Sequence, residues 1–109
     1  MNNLNSTLLE GVIENDPEFQ TTEAGDKIAI FSIKSIRYYK DSNYKIKEEV
    51  GYFDVEVKGD ALKKCEEKGK KGIKLRVVGR LKQERATTDG ISYNRILIIA
   101  EHVEFERQK

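Results

Sequence analysis

Five short stretches of the chain are apolar enough for β-strands, and in two of them apolar and polar residues alternate with the two-residue period of a strand that has one buried face. The clearest case is the third stretch, in which Phe53, Val55 and Val57 share one face. We therefore predict five strands, over the following residues: Leu8 to Glu14, Ile28 to Ile36, Val50 to Lys58, Gly72 to Arg85 and Ser92 to Ala100.

Between the third and fourth strands the apolar period changes to that of a helix. A thin apolar stripe that includes Cys65 follows Asp60, the predicted N-cap, and Gly69 or Gly72 is the predicted end. Glycines within the strands predict bends or close backbone approach. We predict a single all-β domain over residues 1–109, an OB-fold: a five-stranded Greek-key barrel with one short helix between strands 3 and 4.

The fourth strand carries its charges on one face. Its inward positions run from Ile73 to Leu81 and are apolar or Gly, whereas its outward positions include four cations: Lys74, Arg76, Arg80 and Lys82. Such an arrangement costs stability unless something negative lies across it. Two interpretations follow, an edge strand that uses cations to resist aggregation and a sheet face that binds a polyanion.

The chain has 109 residues and a net charge of +1, yet its charges are segregated. Net charges are −6 over residues 1–26, +5 over 27–47, −4 over 48–67, +7 over 68–85 and −1 over 86–109. If the fold brings the two basic blocks together, a nearly neutral protein acquires a positive stripe.

The sequence offers little material for catalysis. His102 is the only histidine and Cys65 the only cysteine, so a zinc site or a nucleophile–histidine pair has almost no donors. No glycine pattern forms a phosphate loop. We expect no enzyme activity, no metal and no cofactor. The chain shows no secretion signal and no apolar run of membrane-spanning length, so we expect a cytoplasmic protein without membrane contact.

Aromatic residues are interleaved with bases. Tyr38 and Tyr39 lie between Arg37 and Lys40, and Tyr93 precedes Arg95. Single-stranded nucleic acid is held by a cationic groove and by rings on which bases stack, at about 1–3 kcal/mol per base. For any single tyrosine, a half-buried position in a strand is an equally good interpretation. For the Tyr38-Tyr39 pair, exposure of one ring is expected because adjacent strand residues point to opposite sides.

From Asn5 to Phe105 the chain resembles the bacterial single-stranded DNA-binding protein family. The order and spacing of these pieces carry the resemblance: Leu8-Leu9-Glu10-Gly11, Asp16-Pro17-Glu18, Gly25, Ile28 to Ile33, Tyr52-Phe53-Asp54-Val55, Gly59, Lys71-Gly72, Val77-Val78-Gly79-Arg80-Leu81, Asp89-Gly90 and Tyr93. The resemblance implies an OB-fold that binds single-stranded DNA with little sequence preference. It also implies homo-oligomers, usually tetramers, and roles in DNA replication, recombination and repair.

The chain departs from the family pattern in three ways. Tyr39 and Tyr52 match two of the family's stacking positions, but Lys58 and Ala86 stand where further aromatics are expected. Tyr52 shares its outward face with Asp54 and Glu56, which repel a phosphate backbone. The sequence ends without the family's flexible acidic tail, so recruitment of partners through such a tail is not expected. These departures predict weaker and more salt-sensitive binding.

The sequence thus predicts a single-stranded DNA-binding domain that forms a homotetramer or dimer. The candidate contacts are Lys34, Arg37, Tyr38, Tyr39, Lys40, Tyr52, Lys74, Arg76, Arg80, Lys82, Arg85, Tyr93 and Arg95. The alternative is an OB-fold accessory subunit without a tail, of the primosomal or recombination type, that acts mainly through protein contacts. Binding of RNA in place of DNA is also left open.

Overall fold

The computed structural model describes residues 2–107, apart from the side chain of Ala86. The chain end at Gln108 and Lys109, and the stacking ring predicted to be lacking at Ala86, fall outside the described residues. The elements are six strands and one helix: β1 (Thr7–Ile13), β2 (Glu18–Thr21), β3 (Lys27–Lys40), β4 (Ile46–Lys58), α1 (Asp60–Lys68), β5 (Lys74–Thr88) and β6 (Ile91–Phe105).

Five of the strands close into a barrel. The sheet order is β1-β5-β6-β4-β3-β2, and an additional β1–β3 pairing at Val12 and Ile13 joins the two sides. All neighbours are antiparallel except β4 and β6, which are parallel. The short strand β2 pairs only with β3 and lies outside the closed circuit. The predicted five-stranded OB barrel is therefore confirmed, with its helix between the third and fourth barrel strands.

The core is formed by the inward residues of the barrel strands and by the helix. Phe31 and Ile33 of β3 and Val55 of β4 are fully buried, as the alternation predicts. Leu62 and Cys65 of α1 join the same cluster. The buried side chains form one continuous core. Each such aliphatic or aromatic side chain adds about 1.5–3 kcal/mol to the stability of the fold through its removal from water.

Two glycines lie where strands approach each other closely. A Cβ on Gly11 would collide with Ile33 and the Lys34 carbonyl, and one on Gly79 with the Ile99 carbonyl. The β5–β6 register also shifts between Val78 and Gly79, because Glu101 is an extra residue on β6. The predicted bend of the barrel wall at Gly79 is thus present as a β-bulge.

Helix α1 begins at Asp60, one residue earlier than predicted. Asp60 was the predicted N-cap, and that prediction is wrong: the cap is Gly59, with φ of 71° and no side-chain hydrogen bond. The chain leaves β4 and enters the helix at once, and this sharp change of direction needs a positive φ that glycine adopts readily. Asp60 lies in the first turn instead, where its negative charge favours the helix dipole. The predicted end at Gly69 is confirmed.

The strands are longer than predicted, because β3–β4 and β5–β6 continue beyond the barrel as two hairpin arms. The first arm spans residues 36–50 and the second spans residues 81–98. Both faces of an arm meet solvent over most of its length, so the two-residue alternation fades there. Phe53 and Leu81, predicted to face inward, lie where the arms begin and are 42% and 47% exposed.

The turns of the arms show how local sequence fixes them. Asp89 and Gly90 both have positive φ, as the two-residue type I′ hairpin turn requires. In the other turn the Asp41 carboxylate accepts hydrogen bonds from the backbone N–H groups of Asn43 and Lys45, at 2.8 and 3.0 Å. Across residues 2–107, the structure has no helix that is long and apolar enough to cross a membrane.

Candidate nucleic-acid interface

One sheet surface gathers aromatic and cationic side chains from four strands. We define the front face as the outward side of β3, β4 and β6 and of β5 from Arg80 onward, with the strands in the spatial order β3, β4, β6, β5. Lys34 of β3 lies directly across from Tyr52 of β4, and Arg95 of β6 lies opposite Glu84 of β5. The Tyr52 ring is 62% exposed. This face thus presents a free aromatic ring next to a cation, the combination that a stacked base and its phosphate require.

The strand alternation assigns each candidate residue to a face. The front face holds eight of them: Lys34, Tyr38, Lys40, Tyr52, Arg80, Lys82, Tyr93 and Arg95. The opposite face, which continues the inward row of the barrel, holds Arg37, Tyr39 and Arg85. The structure therefore does not bring the predicted contacts together on a single surface.

Tyr38 and Tyr39 illustrate this division. As adjacent strand residues they project to opposite sides, and Tyr38 is 65% exposed whereas Tyr39 is 38% exposed. The Arg37 guanidinium lies over the Tyr39 ring, 5.4 Å from its centroid, in a cation–π contact. One face of the Tyr39 ring is therefore covered by Arg37. The Tyr38 ring, on the other side of the arm, is the more exposed of the two.

Lys74 and Arg76 lie at the other end of β5, away from the arms. They line a groove together with three carboxylates, those of Glu10, Glu104 and Glu106. The Arg76 Nη2 atom is 3.1 Å from a carboxylate oxygen of Glu10, its direct neighbour across β1 and β5. The three carboxylates around Lys74 and Arg76 disfavour a phosphate at these two positions.

Four candidate cations form ion pairs within the chain. Arg37 pairs with Glu49, Arg76 with Glu10, Lys82 with Glu84, and Arg95 with Asp54, at 4.0, 3.1, 3.4 and 3.7 Å. All four pairs are substantially exposed, and such pairs contribute only about 0–1 kcal/mol. These pairs therefore add little to the stability of the fold. The sequence did not predict the three pairs between strands, because cross-strand register is not readable from the sequence. Lys82 and Glu84 lie two residues apart on β5, so only their pairing could be read from the sequence.

Asp54 is the most connected side chain of the front face. Its Oδ1 accepts a hydrogen bond from the Ser32 hydroxyl at 2.8 Å, and its Oδ2 lies 3.7 Å from the Arg95 Nε. That Nε is shielded from solvent and has no hydrogen-bond acceptor among the described residues. The Arg95 guanidinium is thus held beside a carboxylate without a hydrogen bond from Nε.

Two observations concern catalytic chemistry: one on metal ligands and one on the cysteine thiol. Between residues 2 and 107, no three side chains of His, Cys, Asp or Glu are grouped so as to hold a metal ion. Cys65 lies on the buried side of α1. Burial, with a smaller effect from Glu66, raises the pKa of its thiol to about 11. The thiol therefore stays protonated at neutral pH and is a poor nucleophile.

Comparison with known proteins agrees with the fold described above. The model of the single-strand binding protein family matches residues 4–106. The chain is 31% identical over 100 residues to the single-stranded DNA-binding protein of Aquifex aeolicus, covering 92% of this chain and 68% of that protein. It is 30% identical over 107 residues to single-stranded DNA-binding protein 2 of Chlorobaculum tepidum, covering 96% and 72%.

Solved structures show the same fold at lower identity. The Plasmodium falciparum SSB in complex with ssDNA superposes with a TM-score of 0.87 at 20% identity, covering 98% of each chain. A deletion mutant of the single-stranded DNA-binding protein from Thermus aquaticus gives 0.83 at 22% identity, covering 95% of this chain and 51% of that one. The closed barrel, its helix and the match over nearly the whole length lead to one conclusion: the chain belongs to the single-strand binding protein family.

Proposed function

We propose that this protein binds single-stranded DNA with little sequence preference and protects it during replication, recombination and repair. The observation that carries the proposal is the exposed Tyr52 ring directly across from Lys34 on the front face of an OB barrel. Family membership and the relatives named as single-stranded DNA-binding proteins support it.

The mechanism is binding without a covalent step. Bases stack on the exposed rings of Tyr52, Tyr38 and Tyr93, and every base offers a face for stacking, so sequence matters little. The cations of the front face contact the phosphates between the stacked bases. Because no bond is made or broken, protection follows from occupancy of the strand alone. A protein with this role acts where the DNA is copied, and we propose the cytoplasm.

We also propose that the protein forms homo-oligomers. Over Thr7 to Gly11, β1 pairs with β5 on one side, and no strand in residues 2–107 pairs with its other edge. An unpaired edge offers backbone donors and acceptors to a second chain. Leu8, on the same strand, is 69% exposed. A free edge beside an exposed leucine fits pairing with a second copy.

The test is a titration of fluorescently labelled oligo-dT over a series of salt concentrations. Wild type should bind, with log K falling against log salt by about 0.7 per contacted phosphate. Tyr52→Ala should weaken binding by roughly tenfold or more, because one stacking contact is lost. Tyr52→Phe keeps the ring and should bind within about twofold of wild type, which separates stacking from general damage.

The second candidate function is an accessory subunit that acts through protein contacts. The ion pairs of the front face and its acids Asp54, Glu56 and Glu84 favour it, since they reduce the field offered to phosphate. Absence of oligo-dT binding even at low salt would overturn the main proposal and leave this one. Replacing oligo-dT with oligo-U in the same titration tests the RNA alternative.

A further inference from the structure

We propose that Asp54 is an internal competitor of DNA: its carboxylate is paired with Arg95, so a phosphate must draw Arg95 away from it, and Asp54 thereby limits affinity. This inference rests on the proposed function. It concerns a specificity-determining residue of the same face, one that opposes binding where the other residues promote it.

Asp54 lies on the front face close to two candidate DNA contacts, Tyr52 and Arg95. It lies two residues from Tyr52 on the same strand, so both side chains project from the front face. Its Oδ2 is 3.7 Å from the Arg95 Nε, and the Arg95 side chain keeps 39% of its surface exposed. A phosphate next to a base stacked on Tyr52 would therefore meet Arg95 and the Asp54 carboxylate together.

Ser32 keeps the carboxylate at this position. The Ser32 hydroxyl donates to Asp54 Oδ1 at 2.8 Å, and the two residues are direct cross-strand partners. This hydrogen bond favours the observed position of the carboxylate, so its repulsion of phosphate persists when DNA approaches unless Arg95 itself moves. The loose contact with Arg95 supports such movement, since 3.7 Å is longer than a hydrogen bond and Nε has no acceptor among the described residues.

The test compares Asp54→Asn with two further variants in the oligo-dT titration. Asparagine removes the charge but keeps a carbonyl oxygen that accepts the Ser32 hydrogen bond. We expect Asp54→Asn to bind about two- to fivefold more tightly at low salt, the scale of an exposed ion pair. The slope of log K against log salt should also steepen by about 0.7, because Arg95 gains a phosphate contact.

Glu56→Gln is the matched control. Glu56 lies two residues further along β4 on the same face and loses the same charge, but it forms no ion pair with a cation in the described residues. Its gain in affinity should be smaller than that of Asp54→Asn. In an Arg95→Gln background, Asp54→Asn should give no gain beyond that of Glu56→Gln.

Three results would overturn the inference while the proposed function stands. The first is that wild type binds oligo-dT and Asp54→Asn binds it equally or more weakly. The second is that Asp54→Asn and Glu56→Gln gain equally in affinity, and the third is that the gain of Asp54→Asn persists in the Arg95→Gln background. Weaker binding by Asp54→Asn would identify Asp54 as a residue that positions Arg95 for DNA. No binding by any variant would overturn the proposed function and this inference with it.

Discussion

Cys65 shows how the surroundings of one residue decide its chemistry. The thiol lies on the buried side of α1 with no exposed surface, and its pKa rises from 9.0 to about 11 because burial disfavours the thiolate. The nearby Glu66 carboxylate acts in the same direction. The thiol is packed in the core as a small apolar side chain.

This raised pKa predicts a pH dependence of stability. Below pH 9 the thiol is protonated in both the folded and the unfolded chain, so it contributes no dependence. Between pH 9 and 11 the unfolded chain releases the proton more readily, so the free energy of unfolding should fall, by at most about 3 kcal/mol at 1.36 kcal/mol per pKa unit. Denaturant unfolding at a series of pH values measures this loss.

Cys65→Ala is the control for that measurement. Any loss of stability that does not come from the thiol is common to the wild type and the variant. The wild type should lose more, and the difference is due to the thiol. Equal losses would contradict the raised pKa. In the native protein at pH 8, a thiol reagent should react slowly with Cys65, and unfolding should restore fast reaction.

At the scale of elements, the β5–β6 pair depends on the bulge between Val78 and Gly79. The extra residue on β6, Glu101, places two exposed residues next to each other, Glu101 and His102, before Val103 returns to the core. Gly79 allows this because its backbone lies against the Ile99 carbonyl, where a side chain has no room. A bulge bends its strand and increases the local twist, which favours the closure of a barrel.

Gly79→Ala should therefore destabilise the whole fold. The added Cβ meets backbone on the facing strand, which cannot move aside as a flexible side chain would. We expect a loss of about 2 kcal/mol or more in the free energy of unfolding, in the range of overpacked core positions. Arg80→Ala, at the exposed neighbouring position, should change it by about 0.5 kcal/mol or less. Chemical denaturation measures both, and a small effect of Gly79→Ala would contradict the close approach.

The elements that the sequence predicted well are those with one buried face. The row Ala29, Phe31 and Ile33 fixed the second predicted strand, and the buried row Val55 and Val57 the third. Strand β2 escaped prediction because its four residues are all exposed. The end of β6 escaped because Glu101 breaks the alternation at the bulge. Where burial does not alternate, the sequence carries no periodic signal of a strand.

The same limit applies to the candidate interface. The alternation predicted which residues of β5 point outward, and the structure places Arg80 and Lys82 accordingly. It could not predict that Arg95 would lie beside Asp54, because that contact depends on β4 and β6 being neighbours in the sheet. Neighbours of this kind, distant in the chain, are set by barrel closure and not by local pattern.

At the scale of the whole molecule, the two basic blocks do not merge. Residues 27–40 form β3 and residues 74–85 belong to β5, and β4 and β6 lie between these strands on the front face. Asp54 and Glu56 of β4 therefore stand between two cationic borders. A DNA strand bound across this face, as proposed, would meet cations at both sides and, in the middle, the acids of β4 beside Arg95 of β6, so we expect single charges on β4 to influence affinity.

The free edge of β1 predicts the state of the molecule in solution. Light scattering coupled to size-exclusion chromatography should give a mass that is a multiple of 12.5 kDa, the mass of one chain. Leu8→Lys places a charge on the exposed apolar position beside that edge, and lysine on an edge strand opposes pairing. We expect this variant to shift towards the single-chain mass.

Phe19→Lys is the matched control for the oligomer. Phe19 is also an exposed apolar residue on an edge strand, but it lies on β2, outside the barrel. Its substitution should leave the mass unchanged, whereas a loss of mass in both variants would indicate general damage to the surface. A wild-type mass of 12.5 kDa would contradict oligomer formation. An oligomer that withstands Leu8→Lys would place the contact between chains away from this side of β1.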